Sequence, residues 1–148
     1  MMNFQELQIQ RRSIRKYSDE LLTPEETKKI LEAALLSPTS KNKHSWSFIA
    51  VEDRDMIAKL AECKPHSASF ITLISDAWVE DASIAAINMQ MQAEEINIGS
   101  CWIQVRNRSY SDRVTSGEYI NELLDIPMPI EVVCLIAFGK KEASRRPA

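Results

Sequence analysis

Three guanidinium groups, an ammonium and two serine hydroxyls fall within the stretch Arg11-Arg12-Ser13-Ile14-Arg15-Lys16-Tyr17-Ser18. The chain as a whole is acidic, with a formal net charge of -3. Arginine can donate bidentately to a phosphate, and charge-assisted hydrogen bonds are roughly twice as strong as neutral ones, so this cluster suits a phosphate dianion. A second polar stretch, Ser37-Pro38-Thr39-Ser40-Lys41-Asn42-Lys43-His44, follows a helical pattern. Thr39, Ser40 and Asn42 can donate to and accept from a flat heterocycle or a polyol chain, while Pro38 stiffens the turn. Each stretch also has a plain structural reading, as a solvated basic loop and as a helix end with its turn.

Other chemistries find little support. With 3 glycines in the chain, neither a G-x-G-x-x-G turn nor a Walker loop can be written. Cys63, Cys101 and Cys134 are widely spaced and set in apolar sequence, which reads as buried thiols in a reducing compartment. Cys63 and His66 lack two further ligands for zinc, so no metal site is expected. No serine lies in a nucleophile elbow, and neither His44 nor His66 can be tied to a nucleophile.

Several elements must position these groups. Asn3 to Gln10 can form one or two helical turns. Thr23, Pro24 and Glu26 form an N-cap, a first-turn proline and a capping box for a helix carrying Ile30, Leu31, Ala34 and Leu35, which Pro38 ends. Trp46 to Val51 reads as a buried strand, Asp53 to Cys63 as a helix with Met56, Ile57, Leu60 and Ala61 at apolar spacing, and Phe70 to Ile74 as a shorter strand. The longest helix is expected from near Trp78. Ile84, Ile87, Met91 and Ile98 make its apolar side, alanines and methionines widen the stripe, and Asn97 and Gly99 terminate it. Ser100 to Val105 and Ile130 to Phe138 read as strands around a helix that stops at Pro127, and the tail from Gly139 is basic without apolar periodicity. Helices interleaved with about four strands, without a βαβ rhythm, predict an α+β or three-layer domain.

The 148 residues fit one domain, 1–148, large enough for a core but small for an enzyme enclosing a cofactor alone, which favours an oligomer. The acidic balance argues against nucleic acid and membrane surfaces as partners. Without a leader pattern or a run near the roughly 20 apolar residues of a membrane span, a soluble, cytoplasmic chain is expected.

Taken together, the segments RRSIRKY, ILEAALLSPTSKNKHSWSFIAVED, WVEDASIAAINMQMQAEEINIGSCWI and VVCLIAFGKK resemble, in order and spacing, the nitroreductase family of FMN-dependent NAD(P)H oxidoreductases. The resemblance implies a homodimeric α+β fold, three-layered, with a central mainly antiparallel sheet flanked by helices and two FMN sites built from both chains. By motif position, Arg11, Arg12 and Ser13 resemble the residues holding the FMN phosphate and ribityl chain. Arg15 resembles a basic side chain at the flavin pyrimidine edge, where a fixed cation would stabilise negative charge arriving near N1 and O2 on two-electron reduction. Pro38, Thr39, Ser40 and Asn42 resemble the stretch reaching the flavin from the partner subunit. Gln104, Val105 and Arg106 correspond to a segment beside flavin N5, and Arg145 or Arg146 to a basic residue returning to the phosphate.

The chain departs from the family in carrying His44 and Ser45 where Gln-Pro is frequent before the tryptophan. The stretch between Lys64 and Trp78 reads as short, with room for only a brief strand. The implied activity is ping-pong transfer from NADH or NADPH, through FMN, to a small conjugated acceptor such as a nitroaromatic or quinone, with no protein acid or base required. The alternative is a flavin-binding protein without turnover, sequestering FMN or sensing redox state. A nucleic-acid module using Arg11 to Lys16 is disfavoured by the acidic chain.

Overall fold

A computed structural model describes residues 2–61, 69–75 and 79–142, with backbone alone for 69–75. Cys63, His66, Trp78, Arg145 and Arg146 lie outside the described residues.

Asn3 caps helix α1 (Phe4–Gln10) through a reciprocal capping box with Glu6. Thr23 and Glu26 form the expected box at α2 (Pro24–Leu35), with Pro24 in its first turn. Strand β1 spans Trp46–Val51 and helix α3 Arg54–Leu60, the latter capped by Asp53. Strand β2 (Ser69–Ser75), helix α4 (Val79–Glu95), strand β3 (Ile98–Gln104), helix α5 (Ser116–Leu123) and strand β4 (Glu131–Lys140) complete the order.

The sheet runs β1-β2-β4-β3, with every neighbouring pair antiparallel. Helices α2 and α4 cover one face, where Ile30, Ala34, Ala82, Ala85, Ala86, Met89 and Ala93 pack with Trp46, Ile136 and Phe138. On the other face, Ile57 and Leu60 of α3 and Ile120 of α5 pack with Val51, Cys101, Ile103, Leu135 and Ala137. The three-layer α+β architecture is therefore present, each sheet face being served by alternate residues of β3 and β4. A register shift opposite Leu73 and Ile74 lets Val133 and Cys134 face the same layer.

Four expectations need correction. In α4 the alanines make the core contact, because small side chains let the helix approach α2 and the sheet closely; Ile84 and Ile87 stay 38% and 40% exposed. At the end of α4 the left-handed residue is Asn97, with φ 61°, whereas Gly99 belongs to β3 and has no positive φ. The region between Lys64 and Trp78 holds more than a brief strand: β2 has 7 residues and pairs on both edges, with β1 and β4. The tail is also ordered further than its composition suggests, since β4 continues through Lys140 and Lys141 bridges to Tyr17.

Candidate functional site

The cationic stretch lies along the free edge of β3. Ser13 forms a parallel bridge with Ser100, and the Ile14 amide donates to the Ser100 carbonyl at 2.9 Å. Two glycines make this docking possible. Gly99 and Gly139 stand opposite each other across β3 and β4. A Cβ on Gly99 would come within 3.0 Å of the Ile14 side chain, and one on Gly139 within 2.5 Å of the Tyr17 ring. The Tyr17 hydroxyl donates to the Ile14 carbonyl, and burial raises its pKa above the ordinary phenol value, with Cys101 adding and Arg15 opposing, so the phenol is a donor.

An extended stretch alternates its side chains. Ile14 is buried, and Arg12 and Ile14 line a cavity of about 310 Å³ with Met2, Glu94, Asn97 and Lys141. Alternation sends Arg11, Ser13 and Arg15 to the other side. The guanidiniums of Arg11 and Arg15 make no hydrogen bond or ion pair among the described residues. Such unneutralised cations on a fixed backbone fit a polyanionic group such as the FMN phosphate.

The second stretch lies at the opposite end of α4. Ser37 is buried, accepts from Asn88 Nδ2 at 2.8 Å and donates to the Ala33 carbonyl. Beyond exposed Pro38, Thr39 leads into a short 3₁₀ turn, Ser40–Asn42. Lys41, Asn42 and His44 have φ of 54°, 55° and 52°. Asp81 in the first turn of α4 accepts the Ser40 amide at 2.9 Å, while the His44 amide donates to Thr39 Oγ1 at 3.0 Å. The His44 ring meets the Trp46 ring edge-on at 5.5 Å, and the Trp46 indole N–H is buried without a hydrogen-bond partner among the described residues.

The third candidate segment leaves the sheet at the C-terminal end of β3. Trp102 Nε1 donates to Gln104 Oε1 at 3.1 Å, and Gln104 Nε2 to the Arg106 carbonyl at 2.8 Å. Val105 is 1% exposed and packs in the α3/α5 layer, so its backbone alone can face a ligand. Arg106 is exposed.

One chain therefore does not bring all its candidate residues together. Glu94, beside the Arg12 cavity, and Asp81, which holds Ser40, stand roughly 20 Å apart at 1.5 Å per helical residue. Tyr17, Asp81, Lys141 and the glycine pair escape a reading by residue type. An apolar Ile14 amid charges was the available signal for alternation, and hence for separating Arg12 from Arg11, Ser13 and Arg15. Among the described residues, no group of three or more His, Cys, Asp or Glu could hold a metal ion.

This fold and these segments define a class, and comparison with known proteins agrees. The Nitroreductase family profile matches residues 9–70 and 75–140, and the chain belongs to that family. It is 35% identical to a protein of Archaeoglobus fulgidus provisionally named NADH dehydrogenase/NAD(P)H nitroreductase, over 87% of this chain and 80% of that protein. The FMN reductase (NADPH) of Bacillus subtilis is 28% identical over 78% of this chain and 59% of its own length. The solved structure of an FMN-dependent nitroreductase from Clostridium difficile R20291 superposes with a TM-score of 0.92 at 40% identity, covering 96% of this chain and 90% of that one.

Proposed function

We infer that the protein is an FMN-dependent NAD(P)H oxidoreductase that reduces a small conjugated acceptor by a ping-pong mechanism, as a homodimer with flavin sites shared between subunits. The observation that carries the reading is the pair of cations Arg11 and Arg15, without an ion pair among the described residues, laid on the Gly99 and Gly139 floor of a nitroreductase-family chain. When bound, FMN supplies the redox chemistry, taking hydride from the nicotinamide and passing electrons onward.

The chain's own residues bind and orient. Arg11 and Ser13 hold the phosphate side of the cofactor, with Arg12 buttressing the strand from the opposite side. Arg15 faces the pyrimidine edge, where its fixed charge offsets negative charge gained on reduction. Pro38, Thr39, Ser40 and Asn42 come from the second subunit, and Gln104, the Val105 backbone and Arg106 flank the reactive edge. The exposed Ile84 and Ile87 of α4 support the shared site, because two copies packed antiparallel through them would bring the cationic end of one helix to the Asp81 end of the other. Buried free thiols at Cys101 and Cys134 suit a reducing, cytoplasmic setting. No described helix is long and apolar enough to cross a membrane.

Anaerobic mixing tests the reading. Purified protein with bound FMN should bleach with NADH or NADPH and recover colour with a quinone. Flavin that neither nucleotide bleaches would favour a flavin holder without turnover. Substituting Arg11→Ala with Ser13→Ala should weaken FMN by at least about a hundredfold, from roughly 1.5–3 kcal/mol per hydrogen bond to a charged group, and riboflavin far less. Equal losses for the two would place the phosphate elsewhere.

A further inference from the structure

We propose that Asp81 is a positioning residue, anchoring the Thr39–His44 loop in the left-handed geometry it would present to the flavin. The proposal rests on the reading above, that this loop contributes to the FMN site.

Three non-glycine residues in the left-handed region within four positions need external support, since that conformation crowds Cβ against the backbone, least so for Asn. Bonds inside the loop supply its shape. The Asn42 amide donates to the Thr39 carbonyl at 3.0 Å, the Lys43 amide to the Ser40 carbonyl at 3.2 Å, and the His44 amide to Thr39 Oγ1 at 3.0 Å. None of these fixes where the loop sits. Among the described residues, the bond that ties it to another element is the Ser40 amide to Asp81 Oδ1, at 2.9 Å.

Asp81 suits that task. It is 5% exposed and forms no ion pair among the described residues. A buried carboxylate without a countercharge is costly unless backbone donors satisfy it. The first turn of α4 supplies a favourable helix-dipole end, and the loop supplies the Ser40 donor. A carboxylate is also a pure acceptor, so it cannot donate to a competing carbonyl. The neighbouring Asn88–Ser37 bond pins the exit of α2 to the same helix, so α4 carries both the loop's anchor and the exposed isoleucines.

Amide exchange on FMN-free protein tests the anchor without any flavin chemistry. In the wild type, the Ser40 amide should exchange well below its open-chain rate. Asp81→Ala should lose at least about tenfold of that protection, leave β4 amides unchanged, and raise the FMN dissociation constant by about tenfold. Asp81→Asn, which keeps an acceptor oxygen, should restore most of both. A wild-type Ser40 amide exchanging at the open-chain rate overturns the proposal, and that measurement decides the matter even if Asp81→Ala fails to fold. Lost protection with unchanged FMN affinity also overturns the positioning role. A wild type with Ser40 protected as expected, yet binding no FMN, would overturn the flavin reading and support Asp81 as the loop's anchor.

Discussion

The Lys141 ammonium lies 2.9 Å from both carboxylate oxygens of Glu94, closing one wall of the cavity that Arg12 lines. With side chains 18% and 6% exposed, the pair is largely shielded from water. Lys141→Met strands the Glu94 carboxylate, and a loss of roughly 3–5 kcal/mol is expected in urea unfolding. The double change Lys141→Met with Glu94→Leu should recover much of that loss, because it leaves no charge unpaired.

Glycine substitutions separate close approach from helix propensity. Gly139→Ala drives a methyl into the Tyr17 ring, whose hydroxyl is held by the Ile14 carbonyl. It should cost about 1–3 kcal/mol and displace the strand that carries Arg11 and Arg15. Gly117→Ala in α5 has 3.9 Å of clearance to Thr115 Oγ1 and should stabilise by about 0.5 kcal/mol. Thermal melts of both variants check the contrast.

Acid should weaken the tie between α2 and β4. Burial alone would raise the Glu26 carboxyl, but hydrogen bonds from Lys140 Nζ and from Thr23, with the Lys140 charge, hold it below the ordinary value. A carboxyl depressed in the folded state contributes stability that is complete above its unfolded pKa, about 4.3, and is lost as pH falls through the folded value. The stability difference between wild type and Glu26→Gln should therefore be constant near neutrality and shrink below about pH 4.3. Urea midpoints measured across that range test the sign.

Along α4, adjacent residues should respond differently to the same charge. Ala86 is 0% exposed, so Ala86→Glu puts a carboxylate into the core and should unfold the chain. Ile87→Glu lies outside the core and should leave a folded monomer that binds FMN poorly. Sedimentation with circular dichroism distinguishes the two, and a folded monomer with full flavin would defeat the shared-site arrangement.

Local rules made much of the fold legible. Trp46–Val51 ends where its aromatic and β-branched run ends, and the Thr23–Glu26 box marks the start of α2, because both signals act within a few residues. The α4 face escaped the same reasoning. A hydrophobicity rule favours Ile84 and Ile87, whereas the layer spacing against α2 and the sheet selects alanine, a choice only tertiary structure specifies. Gly99 misled for a related reason: it stands one residue beyond Ile98, the first residue of β3, and serves Ile14 from a segment far away in sequence. Residue types pointed to the cationic strand and the hydroxyl loop, but Asp81 lies far along the chain from Ser40, and nothing in its local pattern announces the bond.

The separation of the two donor segments along α4 has a genetic consequence. If each pocket takes its cationic strand from one subunit and its Thr39–His44 loop from the other, a strand-defective variant and a loop-defective variant can rescue one another. A hybrid dimer of Arg11→Ala and Asp81→Ala chains would carry both lesions in one pocket and neither in the second. Two proteins weakened in flavin binding, unfolded and refolded together, would then regain one tight flavin site in each hybrid, and cells expressing both alleles would show interallelic complementation.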